Sequence, residues 1–287
     1  MTQIRTKRVI YYYQTFTGLQ PILYSGTPVT DIHLSSVHFG INPDKSKYIH
    51  LNNYPPDNLR FNQVWKDLDE AVKLGINIKI MIGGSGGAFT NLFSDYETFY
   101  PMLKKILIEH SVISGVDLDV EEMVPLKNIK KLINQISNDF PKFTFAMAPV
   151  QSSIENDVSG MGGFLYKDLY NSPEGKKIEY FNGQFYGSYQ ASDYHKVINN
   201  GYPPEKIVMG LTSGQYDQSV PETIKSLVEK YPTFGGVYVW EYYSTNKKWA
   251  QEMHQAMNVD SNILELENPK VDWVNYFYKY LPWIISK

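Results

Sequence analysis

Ser114-Gly115-Val116-Asp117-Leu118-Asp119-Val120-Glu121 sets three carboxylates at every second position, just after a glycine. Side chains of a β-strand alternate between its two faces. Asp117, Asp119 and Glu121 therefore share one face, and Leu118 and Val120 share the other. Val112, Ile113, Val116, Leu118 and Val120 make the segment too apolar for a strand solvated at the surface. The acid face is thus turned into the protein, where three like charges in a row cannot all ionise freely. At least one carboxyl should hold its proton near neutral pH. Such a carboxyl can protonate a leaving group.

Seven more β-rich runs flank this one, at residues 8–13, 34–41, 77–82, 143–150, 180–186, 207–211 and 236–241. Helix-period segments separate most of them. In residues 59–74 the apolar positions Phe61, Val64, Trp65, Leu68, Ala71 and Val72 recur at spacings of three and four, and Lys73 and Gly75 mark the end. Residues 96–110, 126–140, 221–231 and 245–257 read the same way. Residues 272–285 read as a terminal helix kinked or ended at Pro282. Alternating strands and helices predict a parallel sheet, and eight units predict a closed α/β barrel, a single (β/α)8 TIM barrel. Such a barrel takes about 250 residues, so residues 1–287 are expected to form one catalytic domain. The predicted strands end in polar residues, Gln14, Ser85, Glu121, Gln184, Tyr186 and Glu241, and active sites of these barrels lie at that rim.

Composition narrows the chemistry. The formal net charge of −3 offers no basic field for nucleic acid. With no cysteine there is no disulfide, thiolate metal site or cysteine nucleophile. No apolar stretch is long enough to cross a bilayer. The run Val9-Ile10-Tyr11-Tyr12-Tyr13 is too short for a signal peptide, so an intracellular or already trimmed chain is expected. The six histidines lack ligand spacing and read as surface or packed residues; no metal and no cofactor is expected. Gly83-Gly84-Ser85-Gly86-Gly87 follows a strand, but no Gly-Lys-Ser/Thr comes after it. A tight turn bringing backbone to the rim of a pocket is expected there, rather than a phosphate cradle. The acidic triplet could instead hold Mg²⁺ or Ca²⁺. Twenty-three tyrosines suit sugar binding, since each has an apolar face and a polar tip.

At these residues the chain resembles glycoside hydrolase family 18, the chitinases and endo-β-N-acetylglucosaminidases. The family's fourth-strand motif is D-G-x-D-x-D-x-E. Residues 114–121 match it through Asp117, Asp119 and Glu121, with Ser114 in place of the first Asp. The glycine-rich turn is similar to the family's third-strand S-x-G-G. Phe145-Ala146-Met147-Ala148-Pro149 is similar to its fifth-strand T-M-A-P. Gln184-Phe185-Tyr186 resembles the Q-F-Y of plant-type members, and the segment from Gly235 to Trp240 resembles G-G-x-x-x-W of the eighth strand.

The resemblance implies roles. Glu121 would be the general acid, Asp119 would orient the substrate acetamide, and Asp117 would sit beneath Asp119 and share its proton. Tyr186 would bond the acetamide carbonyl, with Gln184 and Met147 lining the same subsite and Trp240 forming its floor. Tyr13, Phe39, Tyr216 and Tyr242 are further candidates for sugar contacts. In this family the substrate's own N-acetyl oxygen serves as nucleophile. The spacing agrees: two acids two residues apart on one strand cannot flank a sugar from opposite sides. The expected ligand is an N-acetylglucosamine oligosaccharide or polysaccharide, chitin above all, cut by an endo-acting monomer with no membrane or nucleic-acid partner. The short stretch between residues 211 and 234 leaves no room for an α+β insertion, so an open groove is expected. The alternatives are hydrolysis of N-glycan cores, to which the extra acid Glu122 is a pointer, a non-catalytic sugar-binding protein, and a metal-dependent barrel enzyme.

Overall fold

The computed structural model describes residues 7–245 and 248–258. In chain order the strands are β1 (Arg8–Tyr13), β2 (Asp31–Ile41), β3 (Lys47–Leu51), β4 (Asn77–Gly83), β5 (Ile113–Asp119), β6 (Thr144–Met147), β7 (Ile178–Gln184), β8 (Ile207–Thr212) and β9 (Gly236–Trp240). The helices are α1 (Asn62–Lys73), α2 (Ala88–Ser94), α3 (Tyr96–Glu109), α4 (Leu126–Asp139), α5 (Gln151–Glu155), α6 (Tyr166–Tyr170), α7 (Ala191–Asn199), α8 (Ser219–Lys230) and α9 (Trp249–Met257). All strands but β3 are parallel to their neighbours, and β1 pairs with both β2 and β9. The sheet therefore closes into the expected (β/α)8 barrel.

The expected strands are all present, and the expected helices 59–74, 96–110, 126–140, 221–231 and 245–257 coincide with α1, α3, α4, α8 and α9 to within a few residues. The expected helix at 272–285 lies outside the described residues. Four short helices, α2, α5, α6 and α7, were not legible, because none carries more than a few apolar positions. The extra strand β3 was not legible either. It pairs antiparallel with the second half of β2, Val37 to Ile41. The first half of β2, Asp31 to Leu34, pairs with β1 and β4 inside the barrel. β2 thus runs past the barrel rim and turns back as a hairpin, which forms a wall beside the barrel mouth.

Alternation along the strands splits the core into two. One apolar layer, with Val9, Tyr11, Leu118, Met147 and Phe181, lies between barrel and helices. The other fills the barrel itself with Ile10, Tyr12, Met81, Ala146, Tyr180, Val208 and Tyr238. Gly210 makes room inside: a Cβ there would lie 1.9 Å from the Tyr238 ring. At the N-terminal end of the barrel a bulge between β6 and β7 breaks the alternation next to Glu179. Its carboxylate pairs with Arg8 at 2.7 Å and Lys79 at 3.4 Å, and Lys79 lies 3.9 Å from Asp31.

Candidate active site

Strand β5 delivers the carboxylates to the C-terminal rim. Its register with β4 sets Asp117 beside Met81 and Asp119 beside Gly83. Asp117 is fully buried; its Oδ2 accepts hydrogen bonds from the Tyr12 hydroxyl at 2.6 Å and lies 2.9 Å from His33 Nδ1. Asp119 is 6% exposed. Glu121, two residues on, stands half-buried beyond the strand end. Burial, then the charges of Glu121 and Asp117, push the Asp119 carboxyl well above the usual carboxylate range. The middle member of the row therefore holds a proton to higher pH than an ordinary carboxyl does.

Gln184 at the end of β7 bridges the row. Its Nε2 donates to Ala148 O at 2.9 Å and lies 3.3 Å from Asp119 Oδ1 and 3.4 Å from Glu121 Oε1. Tyr186 stands at the rim and its hydroxyl accepts from Tyr238 at 3.1 Å. The Tyr186 hydrogen is then directed elsewhere, and the cleft lies before it. Burial pushes this hydroxyl above the usual phenol range, so it remains a donor. Trp240 packs on Tyr12 with ring centroids 5.4 Å apart and forms part of the cleft lining.

These groups surround a cleft of about 310 Å³, which Gln14, Ser36, His38, Met81, Gly84 and Ser85 complete. It continues along the β2–β3 hairpin into a groove of about 610 Å³ lined by Thr15, Tyr48, His50, Asn52 and Asn53. Burial holds His50 below the usual imidazole range. Among the described residues no Asp, Glu, Lys or Arg lines this groove, so it suits a neutral ligand rich in hydroxyls.

Of the residues expected from sequence, Asp117, Asp119, Glu121, Gln184, Tyr186 and Trp240 converge here. The other five do not. Met147 is paired in register with Leu118, on the face opposite the acids, and is packed between barrel and helices; Met81 is the methionine of the cleft. Tyr13 also faces outward and is fully buried, its hydroxyl accepting from Gly18 N at 3.0 Å. Phe39 is buried edge-on to Phe99. Tyr216 packs on the helical layer and bonds Glu252 of α9. Tyr242 packs edge-on to Tyr11 and Tyr13 and borders a separate recess that shares no residue with the cleft. Glu122 does not reach towards a ligand: its Oε1 accepts the backbone N–H groups of Phe89 and Thr90 at the start of α2. Glu241 likewise receives the N–H groups of Gln14 and Thr15. Ser114 lies on the other face of β5 and donates to Ile78 O at 3.0 Å.

Tyr12, His33, Asn182 and Met81 were not singled out from sequence. The signal available for Tyr12 was its place in Tyr11-Tyr12-Tyr13, a run with no phase of its own. Among the described residues no group of three or more His, Asp and Glu side chains is placed to hold a metal ion, and no helix is long and apolar enough to cross a membrane.

A closed (β/α)8 barrel with a row of acids under a tyrosine, a glutamine and a tryptophan at its C-terminal rim defines a glycoside hydrolase. Within that class the chain is similar to family 18. A fungal endo-β-N-acetylglucosaminidase of that family is 29% identical, with a TM-score of 0.77 over 87% of this chain and 97% of the other. Chitinase ChiC from Aspergillus fumigatus is also 29% identical, with a TM-score of 0.77 over 88% of this chain and 99% of its own. A family 18 chitinase from Pseudoalteromonas aurantia shares the fold, with 18% identity, a TM-score of 0.69 and coverage of 87% and 100%. No family model matches the chain, and no curated protein matches it by sequence.

Proposed function

We propose that this protein hydrolyses the β-1,4 bond that follows an N-acetylglucosamine residue, in chitin or its oligomers, with retention and with assistance from the substrate. One observation carries the reading: among the described residues every acid lining the cleft, Asp119 and Glu121, comes from the same strand end, and no carboxylate lines the opposite wall. A conventional retaining glycosidase needs a second carboxyl across the sugar. With none there, the substrate's acetamide oxygen is the available nucleophile. Glu121, exposed to the cleft, protonates the leaving oxygen. Asp119 accepts the acetamide N–H through one oxygen and directs the proton it holds on the other towards Asp117 beneath it, and Tyr186 donates to the acetamide oxygen. Trp240 is the floor under the reacting ring. The cleft is complete within one chain, and the protein is read as a monomer.

Only α8 and a short turn lie between β8 and β9. Among the described residues that rim therefore has no tall wall, and cleavage within a chain is favoured over processive cleavage from an end.

Hydrolysis of the N-glycan core is the second reading. The two structures of 29% identity divide between a chitinase and an endo-β-N-acetylglucosaminidase, and the wide polar groove could admit a branched glycan. The test is parallel digestion of a chitin oligomer and an N-glycoprotein, with proton NMR of the first-formed products. Release of the β-anomer and inhibition by a thiazoline analogue are expected. An initial α-anomer, or efficient cleavage of cellulose oligomers, would overturn substrate assistance.

A further inference from the structure

On the barrel side of the acid row, a chain of hydrogen bonds runs down the barrel axis. His33 of β2 is fully buried. Its Nδ1 lies 2.9 Å from Asp117 Oδ2, and its Nε2 lies 2.9 Å from the Tyr180 hydroxyl. Tyr180 in turn lies 3.3 Å from Asp31 Oδ1. The Tyr12 hydroxyl, which donates to Asp117 Oδ2, accepts from Asn182 Nδ2 at 2.8 Å. Asp117 Oδ1 is buried with no hydrogen-bond partner among the described residues.

Counting hydrogens decides what lies between His33 and Asp117. Tyr180 has one hydroxyl hydrogen. If it goes to Asp31, His33 donates through Nε2, and the Nδ1–Oδ2 contact is attractive only with a second proton in it. If it goes to His33, the ring's own proton sits on Nδ1 and is donated to Oδ2. Both arrangements place a proton between His33 and Asp117 Oδ2. With Tyr12 as the other donor, Oδ2 is committed, and Oδ1 alone is left to receive a hydrogen bond from Asp119.

We infer that His33 is a positioning residue for the hydrolysis proposed above: by occupying Asp117 Oδ2 it fixes which oxygen meets Asp119. The inference rests on that proposed reaction. The titratable groups facing His33 are Tyr12 from β1, Asp31 from its own strand, Asp117 from β5 and Tyr180 from β7. Lys79, Glu179 and Arg8 lie beyond Asp31.

His33→Gln removes the ring donor, and Tyr180→Phe removes the hydroxyl that orients the ring. Both are compared with wild type for kcat and KM on a chitin oligomer across pH. Without that donor the acid row is less well satisfied, so the acid limb of kcat in His33→Gln should move up by about one pH unit. Its kcat should fall about tenfold or more while KM stays within about threefold, since His33 touches no sugar. Tyr180→Phe should move both quantities the same way by less, and it also serves if His33→Gln does not fold. An unmoved acid limb, with kcat falling only in step with thermal stability, would make His33 structural and overturn the inference. A second readout needs no turnover: wild type should show an exchange-protected, far-downfield imidazole N–H resonance that His33→Gln lacks. Its absence from wild type overturns the inference. Its presence in a chain that cuts no N-acetylglucosamine substrate overturns the proposed function alone.

Discussion

The two ends of the barrel carry buried acids in opposite circumstances. At the N-terminal end, burial works against the charge of Glu179, yet Lys79 and Arg8 hold its carboxyl below the usual range. At the C-terminal end, burial and two further carboxylates push Asp119 above it. The difference is in the partners: cations meet the first, whereas among the described residues only neutral or acidic groups and His33 meet the row at the second. One end is matched internally and contributes to holding the strands together. The other holds repulsion that a bound ligand can relieve. Enzymes commonly shift titratable groups at sites of chemistry, while paired ions elsewhere are structural.

The comparison breaks first at Glu121. Glu121→Gln keeps the shape but cannot donate an acid proton. Hydrolysis is expected to fall by about 10²–10⁴-fold or more, with oligomer binding by calorimetry and thermal unfolding unchanged. Near-normal turnover would remove the acid from the row.

Asp119→Asn comes next, with a turnover loss on the order of 10²–10³-fold, the range for losing one preorganised electrostatic partner. Its stability should move the other way. A carboxyl raised in the folded state binds its proton more tightly there than in the unfolded chain. The stability it contributes is fully present below the unfolded value and is lost as pH rises through the folded value. The asparagine variant has no such loss, so its advantage over wild type should grow from pH 4 towards neutrality. Differential scanning calorimetry at several pH values checks this; a variant less stable than wild type at neutral pH would mean that the row is not repulsive.

Lys79→Met probes the opposite end. Breaking a buried ion pair typically costs about 3–5 kcal/mol. Arg8 remains on Glu179, so about 3 kcal/mol is expected in urea unfolding. A loss below about 1 kcal/mol would show that the cluster is no more than solvated charge. Tyr186→Phe has the smallest effect. It removes one donor to the acetamide, and kcat should drop about tenfold, as for a single net hydrogen bond of about 1.5 kcal/mol. An equal loss on substrates without an acetamide would dissociate Tyr186 from that group.

The row itself was legible because three acids at period two admit only one shared face. The barrel was legible because eight apolar runs repeat with helices between them. What sequence could not supply was phase where side chains do not alternate in kind. Tyr11, Tyr12 and Tyr13 are chemically equal, yet only Tyr12 points into the barrel. Met147 and Met81 both sit on buried strands, and the pairing of Leu118 with Met147 turns one outward while Met81 lines the cleft. His33 looked like any packed histidine, since its partners Asp117 and Tyr180 are 84 and 147 residues away. The hairpin wall escaped notice because β3 joins the sheet beyond the barrel and is only five residues long, with Ile49 and Leu51 as its buried positions.

Gly83 bears on how such a site can diversify. Its φ of +105° suits glycine, and a Cβ there would lie 2.1 Å from the Asp119 carbonyl oxygen and 2.7 Å from the Phe89 ring. The main chains of β4 and β5 therefore meet where no side chain can be inserted, and the spacing of the acids is set by backbone contact. A mutational search for new specificity would find this position closed. It would be driven outward to the hairpin, where Tyr48, His50 and Asn53 line the groove without holding the acids in place, so that new ligands can be explored one wall at a time while the reaction is inherited intact.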